Sequence, residues 1–127
     1  MKICVDPGHG GRTTGAVGKF SIEKNVNLKL GLMLQKELEK VGMDVVMTRT
    51  SDLYVSLQGR CDIANKANCD YFVSIHCNGF HDPSANGTST YHYPGSSKGA
   101  KLAAAIQEAS VKYNKNSFVI PNSIDTS

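Results

Sequence analysis

The sequence predicts an α/β fold, in which a mostly parallel sheet is flanked by helices in a three-layer α/β/α arrangement. Two observations carry this prediction: short apolar runs alternate with longer segments of helical periodicity, and one of the runs, YFVSI, is almost continuously apolar. Alternating strands and helices are typical of parallel sheets with right-handed crossovers. A continuous apolar run is typical of a strand buried on both faces of such a sheet. The length of 127 residues fits one domain with one core, predicted to span residues 1–127.

The first strand and the long helix after it are the clearest elements. Lys2–Asp6 is a short apolar strand, and the glycine-rich loop PGHGG follows it. Apolar residues then recur at steps of three and four over Ile22–Val41, which predicts an amphipathic helix. We expect Ser21 to be its N-cap and Gly42 to be its C-terminal glycine. Glu23 lies in the first turn, where the helix dipole favours a negative charge.

The next segments continue the alternation of strands and helices. Asp44–Thr48 reads as a second strand, and a helix capped at Ser56 follows it. Three residues of this helix are expected to face inward, namely Leu57, Cys61 and Ala64. Tyr71–Ile75, the YFVSI run, is the third predicted strand.

The remaining third of the chain is predicted to add a strand and a helix. A loop from Asn78 to Thr88 leads to the strand-like segment STYHY. A third helix is expected from about Lys98 to Tyr113. Its apolar face is marked by Leu102, Ala105, Ile106 and Ala109. The segment FVI near the end of the sequence is a candidate for a last short strand.

Composition and charge narrow the class of protein. With 40% hydrophobic and 20% charged residues, the chain reads as globular. The net charge of +3 comes from dispersed lysines, so we expect no nucleic-acid partner, whereas an anionic polymer such as a cell wall suits it. No run of about 18 apolar residues occurs, so no membrane span is predicted. The four cysteines form no CxxC pair, which predicts free and mostly buried thiols.

The first residues turn glycine-rich too early to form the apolar core of a signal peptide. We therefore expect synthesis in the cytoplasm, unless an export signal lies outside this sequence.

Two histidines and one glutamate are predicted to meet at one edge of the sheet. His9 and His76 each follow a strand, and Glu23 opens a helix that starts from the same edge. Ligands of such sheets bind beyond the carboxyl ends of the strands. Two imidazoles and a carboxylate are the ligand set of a catalytic zinc site, with one position left open. Each residue also has a structural alternative: a turn histidine, a helix-dipole partner or a hydrogen-bonded strand end.

Other polar residues near this edge are expected to stay outside the site. Cys77 should point away from whatever His76 contacts, because neighbours in a strand face opposite sides. His81 and His92 are expected to be loop and strand surface residues. No HExxH, GxSxG or P-loop motif is present.

Several motifs resemble, in their order, the zinc-dependent N-acetylmuramoyl-L-alanine amidases of the cell-wall hydrolase type. They are DPGHGG, Glu23 with Asn27 and Leu28 behind it, TRTSD, SLQGRCDIANKANCD, FVSIHCN and GTSTYHY. The resemblance implies hydrolysis of the amide between N-acetylmuramic acid and the first L-alanine of the peptidoglycan stem peptide. It also implies one Zn²⁺ held by His9, Glu23 and His76. Peptidoglycan is the implied partner, and phage lysis or mother-cell lysis is the expected setting.

The general base of the family is a glutamate in a later strand, and this sequence offers no match to it. After His76 the only acids are Asp82, Glu108 and Asp125, and none lies in a glutamate-glycine-phenylalanine context. The catalytic base is therefore unassigned, and the chain is expected to be a C-terminally shortened catalytic domain. The alternatives are a non-catalytic, zinc-containing wall-binding module and, less favoured, a redox protein that uses the four cysteines.

Arg60 and Asn78 lie in the matched segments and are candidates for substrate binding. For Arg60 two other interpretations stay open: a structural role, and an ordinary solvated charge on a helix.

Overall fold

The computed structural model describes residues 1–77, 89–91, 95–111 and 118–120, with side chains within 1–77 and 95–108. Within these residues there are five strands and three helices. They are β1 Lys2–Pro7, α1 Glu23–Lys40, β2 Asp44–Met47, α2 Leu57–Lys66, β3 Tyr71–Ile75, β4 Ser89–Tyr91, α3 Ser97–Val111 and β5 Phe118–Ile120. The chain divides into two compact units, Met1–Gly79 and Phe80–Thr126.

The first unit contains a parallel sheet of strand order β2-β1-β3. Lys2 lies opposite Asp44 in β2, and Ile3 lies opposite Tyr71 in β3. The α/β class with a parallel sheet is therefore confirmed. The most buried strand of this sheet is β1, whereas every residue of β3 is half-buried, so the expectation that YFVSI is buried on both faces is wrong. The difference follows from the strand order, because β1 lies between the other two strands and contacts α1.

The buried face of α1 carries small and polar residues rather than the predicted apolar stripe. Glu23, Asn27 and Gly31 are buried, at intervals of four residues. Leu30 and Met33 are exposed instead. The absence of a side chain at Gly31 lets this face of the helix approach Pro7 of β1 closely.

The start of α1 is capped by backbone groups. Its N-cap residue is Ile22, which makes no side-chain cap bond, so the prediction of Ser21 is wrong. The first two amides of the helix donate instead to the carbonyl oxygens of Ala16 and Thr14, at 2.9 and 3.0 Å. Satisfying these donors from a loop that folds back removes the need for a hydroxyl cap. At the other end, Gly42 follows the C-cap with φ +86°, as expected for a C-terminal glycine.

The cap of α2 agrees with the prediction and its buried face does not. The hydroxyl of Ser56 accepts a hydrogen bond from the Gly59 amide at 3.0 Å. The buried residues of α2 are Arg60 and Ala64. Two predicted inward residues are exposed, namely Leu57 and Cys61. An apolar pattern misleads here because the helix buries a charged side chain.

The second unit contains α3 and a two-stranded parallel sheet of β4 and β5, and α3 contacts both strands. The prediction of a short strand at FVI is confirmed. Among the described side chains of α3, Ala103 and Gln107 are buried, whereas Ala105 is exposed, and the predicted inward residue Ala109 lies outside them. Several sequence candidates lie outside the described residues, namely Asn78, His81, His92, Asp82 and Asp125. No helix among the described residues has the length and apolar character needed to cross a bilayer.

All four cysteines lie in the described part of the chain and are free thiols, as expected, but the expectation that most of them are buried is wrong. Cys4 is buried and Cys61 is exposed. Burial, with a further contribution from Cys69, raises the pKa of the Cys4 thiol to about 12. At about pH 8, iodoacetamide should therefore label Cys61 quickly and leave Cys4 unmodified until the protein unfolds. Peptide mass spectrometry reads this directly, and rapid labelling of Cys4 in the folded protein would contradict it.

Candidate metal centre

His9, Glu23 and His76 come together beyond the carboxyl ends of β1 and β3. His9 follows β1, Glu23 is the first residue of α1, and His76 follows β3 directly. His9 Nε2 lies 3.2 Å from Glu23 Oε2, and His76 Nδ1 lies 3.3 Å from the same oxygen. The imidazole rings meet edge to face, with centroids 5.1 Å apart. One ligand atom from each residue falls within 4.8 Å of the other two, so the three sequence candidates form one cluster.

The cluster is closed on the carboxylate side and open on the imidazole side. The Glu23 side chain is 5% exposed, whereas His9 and His76 are 31% and 35% exposed. A buried carboxylate beneath two accessible rings gives a site that solvent and a substrate can reach. This accessibility is what a catalytic metal site needs and a closed structural site lacks.

The Glu23 carboxylate is held by three N–H donors. Oε1 accepts from the Ala16 amide at 3.0 Å. Oε2 accepts from Asn27 Nδ2 at 3.1 Å and from the Cys77 amide at 3.0 Å. Burial by itself would raise the pKa of Glu23, but these donors and the neighbouring His9 outweigh it and lower the pKa below its ordinary value. The carboxylate is therefore ionised and fixed in orientation.

Cys77 contacts the site, contrary to the sequence prediction. Its amide donates to the same Glu23 oxygen that His76 approaches, and its thiol donates to Asn27 Oδ1 at 3.4 Å. The prediction is wrong because β3 ends at Ile75, so strand alternation does not extend to residue 77. Burial, followed by the nearby Glu23 carboxylate, raises the pKa of the Cys77 thiol. The thiol stays protonated and supports the site as a neutral group.

The backbone around His9 is shaped for close approach. A Cβ on Gly8 would overlap the His76 imidazole, and a Cβ on Gly15 would lie 2.7 Å from both Glu23 Oε1 and His9 Cδ2. His9 itself has φ +62°, a conformation that residues with side chains adopt rarely. The left-handed backbone at a histidine was not foreseen from the sequence. The loop therefore places its imidazole at a cost in backbone strain.

Arg60 is buried beneath this loop. Arg60 is 4% exposed, so the interpretation as a solvated charge on a helix is wrong. Nη1 donates to Asp6 Oδ1 at 2.7 Å and to the Pro7 carbonyl at 2.8 Å. Nη2 donates to the His9 carbonyl at 2.9 Å. These bonds support the structural interpretation, and contact with substrate stays a prediction.

Asp6 is a functional candidate that sequence reasoning missed. Its carboxylate is 0% exposed, although it lies within an apolar strand. Besides Arg60, it accepts from Thr48 Oγ1 and from Ser74 Oγ, each at 2.7 Å. An acid inside a run that otherwise reads as a buried strand was the available signal, because a buried charge requires partners.

Arg49 is the second residue that sequence reasoning missed. Nε donates to the Pro7 carbonyl at 2.8 Å, and Nη2 donates to the carbonyls of Gly8 and Lys24 at 2.9 and 2.8 Å. Arg49 is 3% exposed. Its position within the TRTSD motif was the only sequence signal.

A partly exposed ion pair contacts the same loop. Asp52 Oδ1 accepts from the Gly11 amide at 2.7 Å, and Oδ2 pairs with Lys24 Nζ at 2.9 Å. The hydrogen bond from Lys24, then the Gly11 amide, lower the pKa of Asp52. A lowered pKa in the folded state gives stability above the unfolded pKa of about 3.9, and this stability is lost as pH falls through the folded pKa.

Asp52→Asn should therefore lower the melting temperature at neutral pH, and its difference from wild type should shrink below about pH 4. Thermal unfolding over a pH series measures this. In a Lys24→Met background the effect of Asp52→Asn should be smaller, because the Lys24 hydrogen bond to the Asp52 carboxylate is already gone. A difference that stays constant from neutral to acid pH would contradict the prediction.

No described residue yet supplies a general base for the site. Among the three acids after His76, only Glu108 is described, and it is exposed on α3 in the second unit. The general base stays unassigned.

Comparison with known proteins places the chain in a family. The family model described as "N-acetylmuramoyl-L-alanine amidase" matches residues 3–123. The chain is 41% identical over 104 residues to the amidase AmiA of Salmonella typhimurium and 44% identical over 105 residues to AmiC of Escherichia coli, covering 81% of this chain in both cases. It covers only 35% and 25% of these two relatives. The probable cell wall amidase LytH of Staphylococcus aureus is 40% identical over 120 residues, which are 91% of this chain and 40% of LytH.

Solved structures agree with this placement. The amidase AmiC2 of Nostoc punctiforme superposes with a TM-score of 0.84 at 34% identity, covering 94% of this chain and 69% of that chain. The amidase of Clostridium difficile 630 gives 0.85 at 35% identity, covering 95% and 69%. The curated relatives named in the preceding paragraph are much longer, and the chain spans between a quarter and two fifths of their length. With a family match over nearly its whole length, the chain belongs to the N-acetylmuramoyl-L-alanine amidase family.

Proposed function

We propose that the chain acts at the bacterial cell wall as a zinc-dependent hydrolase, cleaving the amide between N-acetylmuramic acid and L-alanine in peptidoglycan. The observation that carries the proposal is the convergence of two imidazoles on one oxygen of a buried, ionised carboxylate. Family membership supports the reaction class. Residues 1–127 are proposed to belong to a single catalytic domain.

The donor set fits one Zn²⁺. His9, Glu23 and His76 would hold the ion, and two imidazoles with one carboxylate are a known set of three ligands that leaves a fourth position free. The Glu23 carboxylate is already oriented by Ala16, Asn27 and the Cys77 amide. Such supporting contacts are typical of metal ligands, whose orientation and basicity they set.

When bound, zinc supplies a Lewis acid for the amide carbonyl and lowers the pKa of water to near neutrality. The chain's own residues would hold the ion in a fixed orientation, because the Glu23 carboxylate stays ionised. The exposed faces of His9 and His76 leave access for a substrate. The net charge of +3 suits an anionic wall polymer. Transfer of a proton to the leaving amine needs a further group, and that role has no assigned residue.

A zinc-containing wall-binding module without turnover is the second candidate function. One observation favours it: Asp82, Glu108 and Asp125, the acids after His76, lack the sequence context of the family's base. The two candidates predict the same metal content and different products, so experiment separates them.

Metal analysis tests the site itself. Purified protein should contain about one zinc per chain, and His9→Ala or His76→Ala should abolish it. His81→Ala is the matched control, since the sequence interpretation leaves His81 outside the ligand set, and its metal content should equal that of wild type. Unchanged zinc in the two ligand variants would reject the site.

Product analysis tests the reaction. Incubation with purified peptidoglycan should release new L-alanine amino termini and no new reducing sugar ends. New reducing ends would indicate a glycosidase and contradict the proposal. Wall binding in a pull-down assay without either product would support the second candidate.

A further inference from the structure

We propose that Arg49 and Arg60, here called the arginine pair, are positioning residues that fix the spacing of the three metal ligands from behind the site. The inference rests on the proposed function, because it concerns the same ligands. Neither side chain is among the ligands, and both are almost fully buried. Their donors go mainly to main-chain carbonyls of the segments that carry the ligands.

The arginine pair holds three consecutive carbonyls at the turn that presents His9, those of Pro7, Gly8 and His9. The Pro7 carbonyl accepts from both Arg49 Nε and Arg60 Nη1, each at 2.8 Å. The Gly8 and His9 carbonyls each accept at 2.9 Å, from Arg49 and Arg60 respectively. Because His9 has φ +62°, its conformation persists only where surrounding contacts over-determine it. Four guanidinium bonds to three consecutive carbonyls provide that constraint.

Arg49 also joins this turn to the helix that carries Glu23. The Nη2 group that donates to Gly8 donates as well to the Lys24 carbonyl, one residue beyond the glutamate. Asn27 adds a parallel link, because its Nδ2 contacts both the Gly8 carbonyl and Glu23 Oε2, each at 3.1 Å. The positions of His9 and Glu23 are thereby set relative to each other.

Through Asp6, Arg60 is connected to β3, the strand that His76 follows. The Asp6 carboxylate accepts from Arg60 on one oxygen and from Ser74 Oγ on the other. Ser74 lies two residues before His76. The three ligand segments are thus connected through one buried network.

The charges and shapes of this network favour arginine over lysine. Among the described residues of the first unit, the buried charged side chains are Asp6, Glu23, Arg49 and Arg60, so two carboxylates are balanced in number by two guanidinium groups. Each guanidinium group donates hydrogen bonds to several acceptors that lie in different directions. A planar fork with five donors can do this, whereas a lysine ammonium group is a compact point charge on a flexible stem.

The test compares zinc affinity in charge-conserving variants. Arg49→Lys and Arg60→Lys should each weaken zinc binding about 10- to 100-fold, measured by competition with a chromophoric chelator. Arg12→Lys is the matched control, because Arg12 is an exposed arginine stacked 4.0 Å from the Tyr54 ring. Ile3→Val controls for a loss of stability, because Ile3 is buried in β1 away from the turn. Both controls should bind zinc as wild type does, at a temperature where circular dichroism shows all variants folded.

The outcomes separate this inference from the proposed function. Folded lysine variants with wild-type zinc affinity would overturn the positioning role and leave the zinc site intact. Equal weakening by Ile3→Val would also overturn it, since general stability would then explain the effect. A wild-type chain that binds no zinc would reject the zinc site and, with it, the positioning role.

If the lysine variants fail to fold, a measurement on the wild-type protein tests the inference instead. Zinc titration followed by NMR should shift the Nε–H resonances of Arg49 and Arg60 and leave that of Arg12 unchanged. Unchanged resonances for the arginine pair at saturating zinc would overturn the inference.

Discussion

Gly8→Ala should reduce zinc affinity about 10- to 100-fold, the loss typical of disturbing the groups that orient a metal ligand. The added Cβ would overlap the His76 imidazole, so the ring must rotate or the turn must move. Gly8 has no positive φ, which makes the effect one of space around the ligand rather than of backbone conformation. Chelator competition with the folded protein measures the change.

Gly18→Ala is the matched control for this prediction. A Cβ there meets its nearest atom at 3.5 Å, an ordinary contact, so zinc affinity should stay at the wild-type value. A second variant separates stability from binding: in a His76→Ala background, Gly8→Ala should cost little stability, because the ring it would strike is gone. Full zinc affinity in the Gly8→Ala single variant would show that the turn adapts and would contradict the prediction.

Asp6→Ala should lower the free energy of unfolding by about 3–5 kcal/mol, as is usual when one partner of a buried ion pair is removed. Arg60 would lose its only buried carboxylate partner among the described contacts. The hydroxyls of Thr48 and Ser74 would lose their acceptor as well. Urea unfolding monitored by circular dichroism measures the loss.

Two further variants serve as controls for the unfolding measurement on Asp6→Ala. Asp44→Ala removes an exposed aspartate at the start of β2, and its effect should stay within about 0.5 kcal/mol. Adding Arg60→Met to Asp6→Ala should recover part of the stability, because no uncompensated charge then remains buried. A loss below about 1 kcal/mol for Asp6→Ala would argue against a stabilising ion pair.

The sequence predicted the elements of the first unit and their order well. The predicted strands Lys2–Asp6 and Asp44–Thr48 each differ from the observed strand by one residue, and Tyr71–Ile75 agrees fully. The three clustered residues of the site were also predicted, because strand ends and a helix start define one edge of a parallel sheet. Local patterning and chain order carry this much information.

Burial inside the helices and the network behind the site could not be predicted in this way. Apolar periodicity assumes that polar side chains face water, whereas α2 buries Arg60 and α1 buries Asn27. Asn27 lies four residues after Glu23, a spacing that places both on one helix face, and this was a usable signal. The bonds of Arg49 join residues up to 42 positions apart, so no local window contains them.

The strand order β2-β1-β3 explains why the cluster lies where it does. The chain leaves β1 towards β2 on one side and later crosses to β3 on the other, so the sheet grows in opposite directions from its central strand. Because β1 and β3 pair directly in parallel, their carboxyl ends are neighbours at one edge of the sheet. His9 and His76 follow those two strands. The location of the cluster is therefore a property of the topology, the carboxyl-end edge of a parallel sheet, and the residues that follow the two strands determine its chemistry.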